Sequence, residues 1–343
     1  MADRLPLRLI ADDLTGALDS AAPFATQKAP VAVTWSAGQR PTRRDIATSS
    51  ESRGLSPSEA RAAVRRCWEG MGGAATGYLW FKKVDSVLRG HPVAETAEML
   101  ARGSFASCIF APAFPQMGRV TRSGRHWIRD QSGTWTAAAV HDIRAGFAAL
   151  GIAADRRGGP GAAQARVVVI DAEQEHDLSA AVETVGRDAP VLWVGSAGLA
   201  RALAGKVAPL PIPRVFRLIV GTTHPATRAQ VNNLAPVLRD VHLIDPVPVA
   251  CDEQDTMHQI ALQVSEAKPS PSGDMTMIVG GDTLSVVLAA VDAELLLCMG
   301  EAGPGLPVAD IIGGRWNGCR IVTKSGGFGA AGLLRNMVAA KPL

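Results

Sequence analysis

Charged side chains follow two short apolar runs and occupy one loop in the first part of the chain, and the ends of such runs are where α/β proteins bind their ligands. Asp12 and Asp13 come directly after the first aliphatic run, and Arg53 lies in a serine-rich loop. A third group follows the run at 78–82 and consists of Lys83, Asp85, Ser86 and Arg89. Lysine and arginine suit a carboxylate ligand, whereas aspartate suits a ligand hydroxyl, as an acceptor or as a base. These side chains could therefore converge on one small ligand.

Ordinary structural roles compete with this interpretation. Asp13 could simply cap the helix that follows it. Asp85 and Arg89 are four residues apart and could form a pair on a helix surface. Arg53 taken alone is typical of a solvated loop cation. The two adjacent aspartates and the further charges crowded around Asp85 favour a functional role.

Three loops rich in glycine and hydroxyl groups follow runs in the second part of the chain. They contain Thr222 in the first loop, Gly280, Gly281, Asp282 and Thr283 in the second, and Ser325, Gly326, Gly327 and Gly329 in the third. Glycine lets backbone N–H groups approach a phosphate, and hydroxyls donate to phosphate oxygens. One such loop is commonly a tight turn, but three of them favour a polyphosphate site.

Several common motifs are absent or incomplete. No GxxxxGK[ST] occurs, which excludes a P-loop nucleotide site. Residues 327–332 match GxGxxG, but the acidic residue of a dinucleotide fold, about 20 positions later, would fall beyond Leu343. A nicotinamide-dependent oxidoreductase is therefore disfavoured. His91 and His126 lack ligand spacing, so no metal-ligating residue is predicted.

Aliphatic runs alternate with Ala/Leu-rich stretches, which predicts parallel strands covered by helices on both faces. We predict strands at 5–11, 31–35, 78–82, 107–111, 166–170, 191–194, 215–220, 241–244, 275–279 and 320–323. We predict helices at 15–26, 57–70, 92–101, 175–187, 197–204, 226–238, 256–267, 283–291 and 330–339. Loops are expected at 37–50 and 155–165, and a brief helical segment after Trp135.

Three prolines between Ala208 and Pro213 can continue neither a helix nor a central strand. We therefore place a boundary there, with one domain at 1–210 and another at 211–343. The predicted architecture is two α/β domains with mostly parallel sheets and an active-site cleft between them. The aliphatic stretch 295–299 is typical either of a buried strand or of a subunit interface. The second interpretation would make the protein a homo-oligomer.

Composition excludes several classes of protein. The net charge is +3 without a basic stripe, which argues against nucleic-acid binding. No apolar run approaches the roughly 20 residues that cross a bilayer, so no membrane partner is expected. The five cysteines are scattered without metal or disulfide spacing, and no secretion signal stands at the N-terminus, which indicates a cytoplasmic protein.

The ordered set of motifs resembles the four-carbon acid sugar kinase family, which phosphorylates threonate, erythronate and 3-oxo-tetronate. The matching stretches are IADDLTGALDSA from residue 10, KKVDSVLRG from 82, APAFPQMGR from 111, VGSAGLA from 194, VGTTHPATRAQ from 220, GGDT from 280 and TKSGGFG from 323. The chain departs from the pattern in a shorter stretch after His126 and in Val87, where a hydroxyl residue is usual.

The resemblance implies an N-terminal acid-sugar domain, a C-terminal ATP domain and phosphoryl transfer between their ligands. Its substrate positions are Asp12, Asp13, Arg53, Lys83, Val84, Asp85 and Ser86, and its nucleotide positions are Thr222 and the loops at 280–283 and 325–329. On this hypothesis Arg53, with Lys83 or Arg89, holds the acid, and Asp13 or Asp85 accepts the hydroxyl proton. Mg²⁺ bridges the phosphates, with Asp282 reaching it through water. The alternative is a non-catalytic sensor of a sugar acid or nucleotide.

Overall fold

The computed structural model describes residues 4–35, 42–73, 76–130, 132–205, 208–211, 214–234 and 241–339. The chain forms two compact units. Unit 1 consists of Met1–Phe24 and Thr34–Val207, and unit 2 consists of Ala25–Val33 and Ala208–Leu343. Two parts of the predictions lie outside the described residues. They are 212–213 of the predicted proline-rich boundary and 37–41 of the first predicted loop.

The strands of the described residues are β1 Leu7–Ala11, β2 Val31–Thr34, β3 Ile46–Ser49, β4 Leu79–Lys83, β5 Ser107–Ala111, β6 Arg119–Arg122, β7 Arg125–Arg129, β8 Trp135–Asp142, β9 Ala154–Arg156, β10 Val167–Val169, β11 Val191–Gly195, β12 Val215–Val220, β13 His242–Ile244, β14 Met275–Val279, β15 Leu295–Glu301, β16 Pro307–Ile312 and β17 Arg320–Lys324. The helices are α1 Leu14–Ala21, α2 Pro57–Gly70, α3 Pro92–Arg102, α4 Ile143–Ala148, α5 Glu175–Val185, α6 Ala197–Ala204, α7 Pro225–Asn232, α8 Glu253–Glu266, α9 Gly281–Ala290 and α10 Leu333–Ala339.

Unit 1 is built on a parallel sheet in the order β3-β1-β4-β11-β5-β10-β9. The register pairs Ala11 with Ser49 on one side and with Lys83 on the other. The loops that leave β1, β3 and β4 therefore start side by side at one edge of the sheet. This is the arrangement that brings distant charged residues together at the carboxyl ends of strands.

A small antiparallel sheet, β6-β7-β8, belongs to unit 1 and was not predicted. The expected helix after Trp135 is wrong, because β8 is a strand and the helix α4 begins only at Ile143. The alanines of β8 favour a helix in isolation, but pairing with β7 overrides that propensity. Likewise β3 and β9 lie in stretches predicted as loops, where strand pairing supplies the hydrogen bonds.

Unit 2 has a mixed sheet whose parallel part is β13-β12-β14-β17. It continues through β16, β15 and β2 in antiparallel pairs. The segment Ala25–Val33 thus belongs to unit 2 because β2 pairs with β15, whereas an unbroken first domain was expected. The stretch 295–299 lies within β15, between β2 and β16, which agrees with the buried-strand interpretation.

Helix ends follow local chemistry where the sequence supplies it. Ser56 and Glu59 form a capping box, and Pro57 occupies the first turn, so α2 has its predicted bounds. The first helix is shorter than predicted, because α1 ends at Ala21 and a 3₁₀ turn follows at Ala22–Phe24. The last helix begins at Leu333 rather than at 330. The end predicted for α7, at 235–238, lies outside the described residues.

Each unit has its own apolar core. In unit 1, Trp68 stacks on Trp80 with ring centroids 4.0 Å apart, and Phe110 meets Phe147 edge to face. In unit 2 the core lies on β12, β14 and β17 and includes the last helix. No helix among the described residues is both long and apolar enough to cross a membrane.

Candidate functional site

A single guanidinium lies at the centre of the charged cluster of unit 1. Arg53 Nε donates to Asp12 Oδ2 at 2.8 Å, and Nη1 lies 2.8 Å from Asp13 Oδ2. Its Nη2 lies 3.6 Å from Asp85 Oδ1. The loops after β1, β3 and β4 each contribute to this cluster. The interpretation of Arg53 as a solvated loop cation is therefore wrong, since its charge is shared among three carboxylates.

Asp12 is held as a buried anion. Burial alone would raise the pKa of Asp12, but the positive charges of Lys83 and Arg53 outweigh it and hold that pKa below its ordinary value. The Oδ1 atom has no hydrogen-bond partner among the described residues and lies 4.0 Å from Lys83 Nζ. An unpaired buried oxygen is costly, so this atom is a natural acceptor for a ligand hydroxyl.

The first turn of α1 brings the next carboxylate and a lysine together. Asp13 caps the helix, because its Oδ1 accepts from the N–H of Gly16 at 3.0 Å, while its Oδ2 pairs with Arg53. A Cβ on Gly16 would lie 2.3 Å from Asp13 Oδ1 and 2.8 Å from Lys83 Nζ. The capping role and membership of the cluster therefore both hold for Asp13, and a larger residue at position 16 would displace Asp13 Oδ1 or Lys83 Nζ.

Asp85 is saturated by its own loop. Its Oδ2 accepts from the backbone N–H groups of Val87 and Arg89, and Arg89 also forms a two-pronged ion pair with the carboxylate. Burial would raise the pKa of Asp85, but the hydrogen bonds from Arg89 and the charge of Arg53 hold it well below its usual range. Asp85 therefore acts here as a fixed negative anchor.

Two features hold this loop in its tight conformation. Leu88 has a φ of +61°, a strained value for a branched residue, and its side chain is fully buried in the core of unit 1. His126 of β7 lies against the backbone of the loop, with Nε2 2.8 Å from Ser86 O and Nδ1 3.1 Å from Thr121 Oγ1. Burial is the main cause that lowers the pKa of His126 to about 4. The neutral ring therefore donates from Nε2 to Ser86.

A buried ion pair supports the loop that carries Arg53. Lys82 Nζ lies 2.6 Å from Glu95 Oε2, and both side chains are essentially inaccessible to solvent. The other carboxylate oxygen of Glu95 accepts from Ser52 Oγ at 2.8 Å, and Lys82 also donates to the carbonyl of Lys83. Sequence reasoning missed Glu95 and Ser52, because nothing in helix α3 distinguishes this glutamate from a surface residue.

The structure brings most of the predicted substrate residues together. Those within the charged cluster are Asp12, Asp13, Arg53, Lys83, Asp85 and Arg89. Val84 instead packs its side chain in the core, and its N–H donates to the carbonyl of Gly195. Ser86 takes part through its carbonyl, which faces His126.

The three glycine-rich loops of unit 2 also meet. Thr283 Oγ1 would lie 2.7 Å from a Cβ on Gly280, whose φ is +114°. A Cβ on Gly326 would lie 2.8 Å from Thr222 Oγ1, so the loops after β12 and β17 are in contact. Asp282, in the first turn of α9, is exposed. Among the residues with described positions, no group of three or more His, Cys, Asp or Glu could hold a metal ion.

Comparison with known proteins places these features in a family. A family model described as a sugar-binding N-terminal domain matches residues 7–146 and 132–203. A relative from Cupriavidus necator named D-threonate kinase is 38% identical over 240 residues, which cover 60% of this chain and 57% of that protein. A second relative named D-threonate kinase, from Bordetella bronchiseptica, is 29% identical over 389 aligned positions. The alignment covers 95% of this chain and 95% of that protein.

A solved structure has the same fold. A Haemophilus influenzae protein of the DUF1537 family superposes with a TM-score of 0.66 at 16% identity, over 96% of this chain and 98% of that one. The chain thus spans little more than half the length of the first relative but nearly all of the second and of the solved structure.

The lowered pKa of His126 predicts how stability depends on pH. The folded protein takes up this proton only near pH 4, whereas an unfolded chain takes it up near pH 6.5. The stabilisation is therefore complete above about pH 6.5 and is lost as the pH falls to about 4. We expect the free energy of unfolding of the wild type to fall by about 3 kcal/mol from this group over that window.

Urea unfolding at several pH values measures this dependence. The variant His126→Gln keeps an N–H donor for Ser86 but cannot titrate, so its stability should change less between pH 6.5 and 4. The control His176→Gln removes an exposed histidine of the same unit. Equal slopes for the wild type and His126→Gln would contradict the assignment.

Proposed function

Because the chain belongs to the four-carbon acid sugar kinase family, we propose that it transfers the γ-phosphoryl group of ATP to a hydroxyl of a four-carbon sugar acid. Two relatives named D-threonate kinase support D-threonate as the first acid to test. We assign the acid to unit 1 and the nucleotide to unit 2. No observation favours a non-catalytic sensor.

The observation that carries the proposal is the group of three carboxylates around Arg53. Carboxylate oxygens accept hydrogen bonds from hydroxyls, and a four-carbon sugar acid presents several hydroxyls next to one carboxylate. Arg53 is already engaged on all three of its nitrogens, so it organises the site rather than receiving the acid. We therefore assign the substrate carboxylate to Lys83 and Arg89.

Lys83 is the better placed of these two cations. Its Nζ has no carboxylate closer than Asp12 at 4.0 Å and no hydrogen bond to the described part of the chain. The side chain is 7% exposed, and burial of its charge is therefore not offset by a close counter-charge. Arg89 is 62% exposed, and its guanidinium has donors left beyond the pair with Asp85.

We assign proton acceptance to Asp13 rather than to Asp85. Both oxygens of Asp85 are occupied by Arg89 and by backbone N–H groups, and its pKa is strongly lowered, which makes it a poor acceptor. Asp13 is 23% exposed and holds one cap bond and one ion pair, so an oxygen lone pair can face a ligand. Phosphoryl transfer needs such positioning more than covalent chemistry.

The nucleotide is assigned to the three loops of unit 2, which are close enough for their backbones to surround a polyphosphate. Mg²⁺ is assigned to the phosphates, with Asp282 acting through water. When bound, the ion would neutralise charge on the phosphates.

The experiment that tests this function is an ADP-release assay with ATP and Mg²⁺. The acids are D- and L-threonate, D- and L-erythronate and their 3-oxo forms. We expect turnover that depends on one of these acids, with D-threonate first. ATP binding, measured by thermal shift, without turnover on any of them would contradict the proposed reaction.

Replacement of the two aspartates separates their roles. Asparagine at position 13 keeps the helix cap but cannot accept the proton, so Asp13→Asn should lower kcat by about 10²- to 10⁴-fold. Asp85→Asn loosens Arg89 and Arg53 and should mainly raise KM for the acid. Neither change should alter ADP affinity. Asp188→Asn, at an exposed site of unit 1, is the control; a normal kcat for Asp13→Asn would refute its role.

Gly16 offers a test of the cluster's geometry. Because an added methyl would strike Asp13 Oδ1 and Lys83 Nζ, Gly16→Ala should lower kcat/KM for the acid by about tenfold or more. Alanine is the better helix former by about 1 kcal/mol, so the loss of activity should not come from unfolding of α1. Gly54→Ala is the matched control, since nothing lies within 4 Å of its Cβ position. Steady-state kinetics that are equal for both variants would show that the close approach does not matter.

A further inference from the structure

The backbone carbonyl groups of the loop after β17 accept hydrogen bonds from donors on one side of the loop. Lys324 Nζ donates to Ser325 O at 2.9 Å and to Phe328 O at 3.0 Å. Thr227 Oγ1 donates to Gly326 O at 2.6 Å. The donor atoms lie at the end of β17 and on helix α7, so this segment of backbone is turned towards the interior of unit 2.

Helix α7 continues the same pattern along the loop. Gln230 Nε2 lies within 3.1 Å of the carbonyls of Phe328, Gly329 and Ala330. Asn233, the residue directly after the helix, reaches Ala331 O at 3.3 Å. Six carbonyls between 325 and 331 therefore face Lys324 and three polar side chains of α7 and its C-cap.

The direction of the carbonyls fixes the direction of the amides. In a trans peptide the N–H of a residue points opposite to the carbonyl of the residue before it. The six N–H groups that must point away from Lys324 and α7 are those of Gly326, Gly327, Gly329, Ala330, Ala331 and Gly332. Within the described part of the chain, none of them donates to a protein acceptor. Ser325, Gly327 and Ala330 are exposed, so this face of the loop is open.

The ammonium beneath the loop lacks a counter-charge. Lys324 is fully buried, and no carboxylate of the described residues lies within ion-pair distance of it. Its other contacts are the hydroxyl of Thr227 at 3.1 Å and the carbonyl of Gly326 at 3.4 Å. Burial lowers the pKa of Lys324 to about 8. A buried cation that is bound only by neutral dipoles attracts an anion on the far side of the loop.

We propose that Lys324 and Gln230 are positioning residues for the nucleotide phosphates: they hold the loop's carbonyls inward so that its amides face the polyphosphate. This inference rests on the proposed function of unit 2. Neither residue touches the phosphates. The ammonium of Lys324 attracts the phosphates electrostatically across the backbone of the loop. Its hydrogen bonds to the carbonyls also fix the conformation of the loop before the ligand binds.

Binding of inorganic tripolyphosphate, ADP and adenosine, measured by calorimetry, tests the inference. Lys324→Met fills the same space without donors, and Gln230→Met does so at the second position. Both variants should weaken tripolyphosphate and ADP binding by about tenfold or more while adenosine binding stays unchanged. In kinetics, KM for ATP should rise and KM for the acid should not.

The control is Arg335→Met, which removes one exposed positive charge from α10 of the same unit. An equal loss in this control would overturn the inference, because net charge alone would then explain the effect. Unchanged tripolyphosphate binding by Gln230→Met would also overturn it, even if Lys324→Met does not fold. A wild type that binds neither tripolyphosphate nor ADP would instead refute the nucleotide function itself.

Discussion

The ion pairs of Arg53 are the interaction on which the charged site of unit 1 depends. Asp12, Asp13 and Asp85 would repel one another without a shared cation, and burial would drive Asp12 and Asp85 to take up protons. One guanidinium, with three nitrogens in a rigid plane, satisfies all three. Lysine has no such fork, so it could not hold three carboxylates in fixed directions.

That interaction is possible only because three strands are neighbours. The carboxylates leave β1 and β4, and the arginine leaves β3, and β1 lies between the other two. The register of this parallel sheet therefore fixes the site. Ser52, tied to the buried Glu95, holds the arginine loop from below, and His126 holds the loop of Asp85.

The two units use a buried lysine in the same way. At the end of β4, Lys82 donates to the carbonyl of the next residue, and at the end of β17, Lys324 does likewise, both at 2.9 Å. The difference is the counter-charge. Lys82 lies 2.6 Å from Glu95, whose negative charge balances the ammonium within the protein. The ammonium of Lys324 contacts only hydroxyl and carbonyl oxygens among the described residues. The charge of the first lysine is therefore balanced within the protein, whereas the second has no carboxylate partner among the described residues.

The sequence by itself determined the alternation of strands and helices, because burial on both faces of a parallel strand requires continuous apolar runs. It also indicated the charged and glycine-rich loops, since strand ends are where polar residues interrupt those runs. It could not find β3, β6–β9 or β16, because their segments lack the continuous apolar runs of the predicted strands and become strands through pairing with neighbours.

The tertiary structure alone decided which of the indicated residues act together. Glu95 and Ser52 carry no local signal, since each is an ordinary residue of a helix or a loop. For His126, Thr227 and Gln230, the sequence does not show which partners matter, and those partners lie 5 to 100 positions away in the chain. Nor could the sequence assign Ala25–Val33 to unit 2, because strand pairing, unlike hydrophobic periodicity, is a contact between segments distant in sequence.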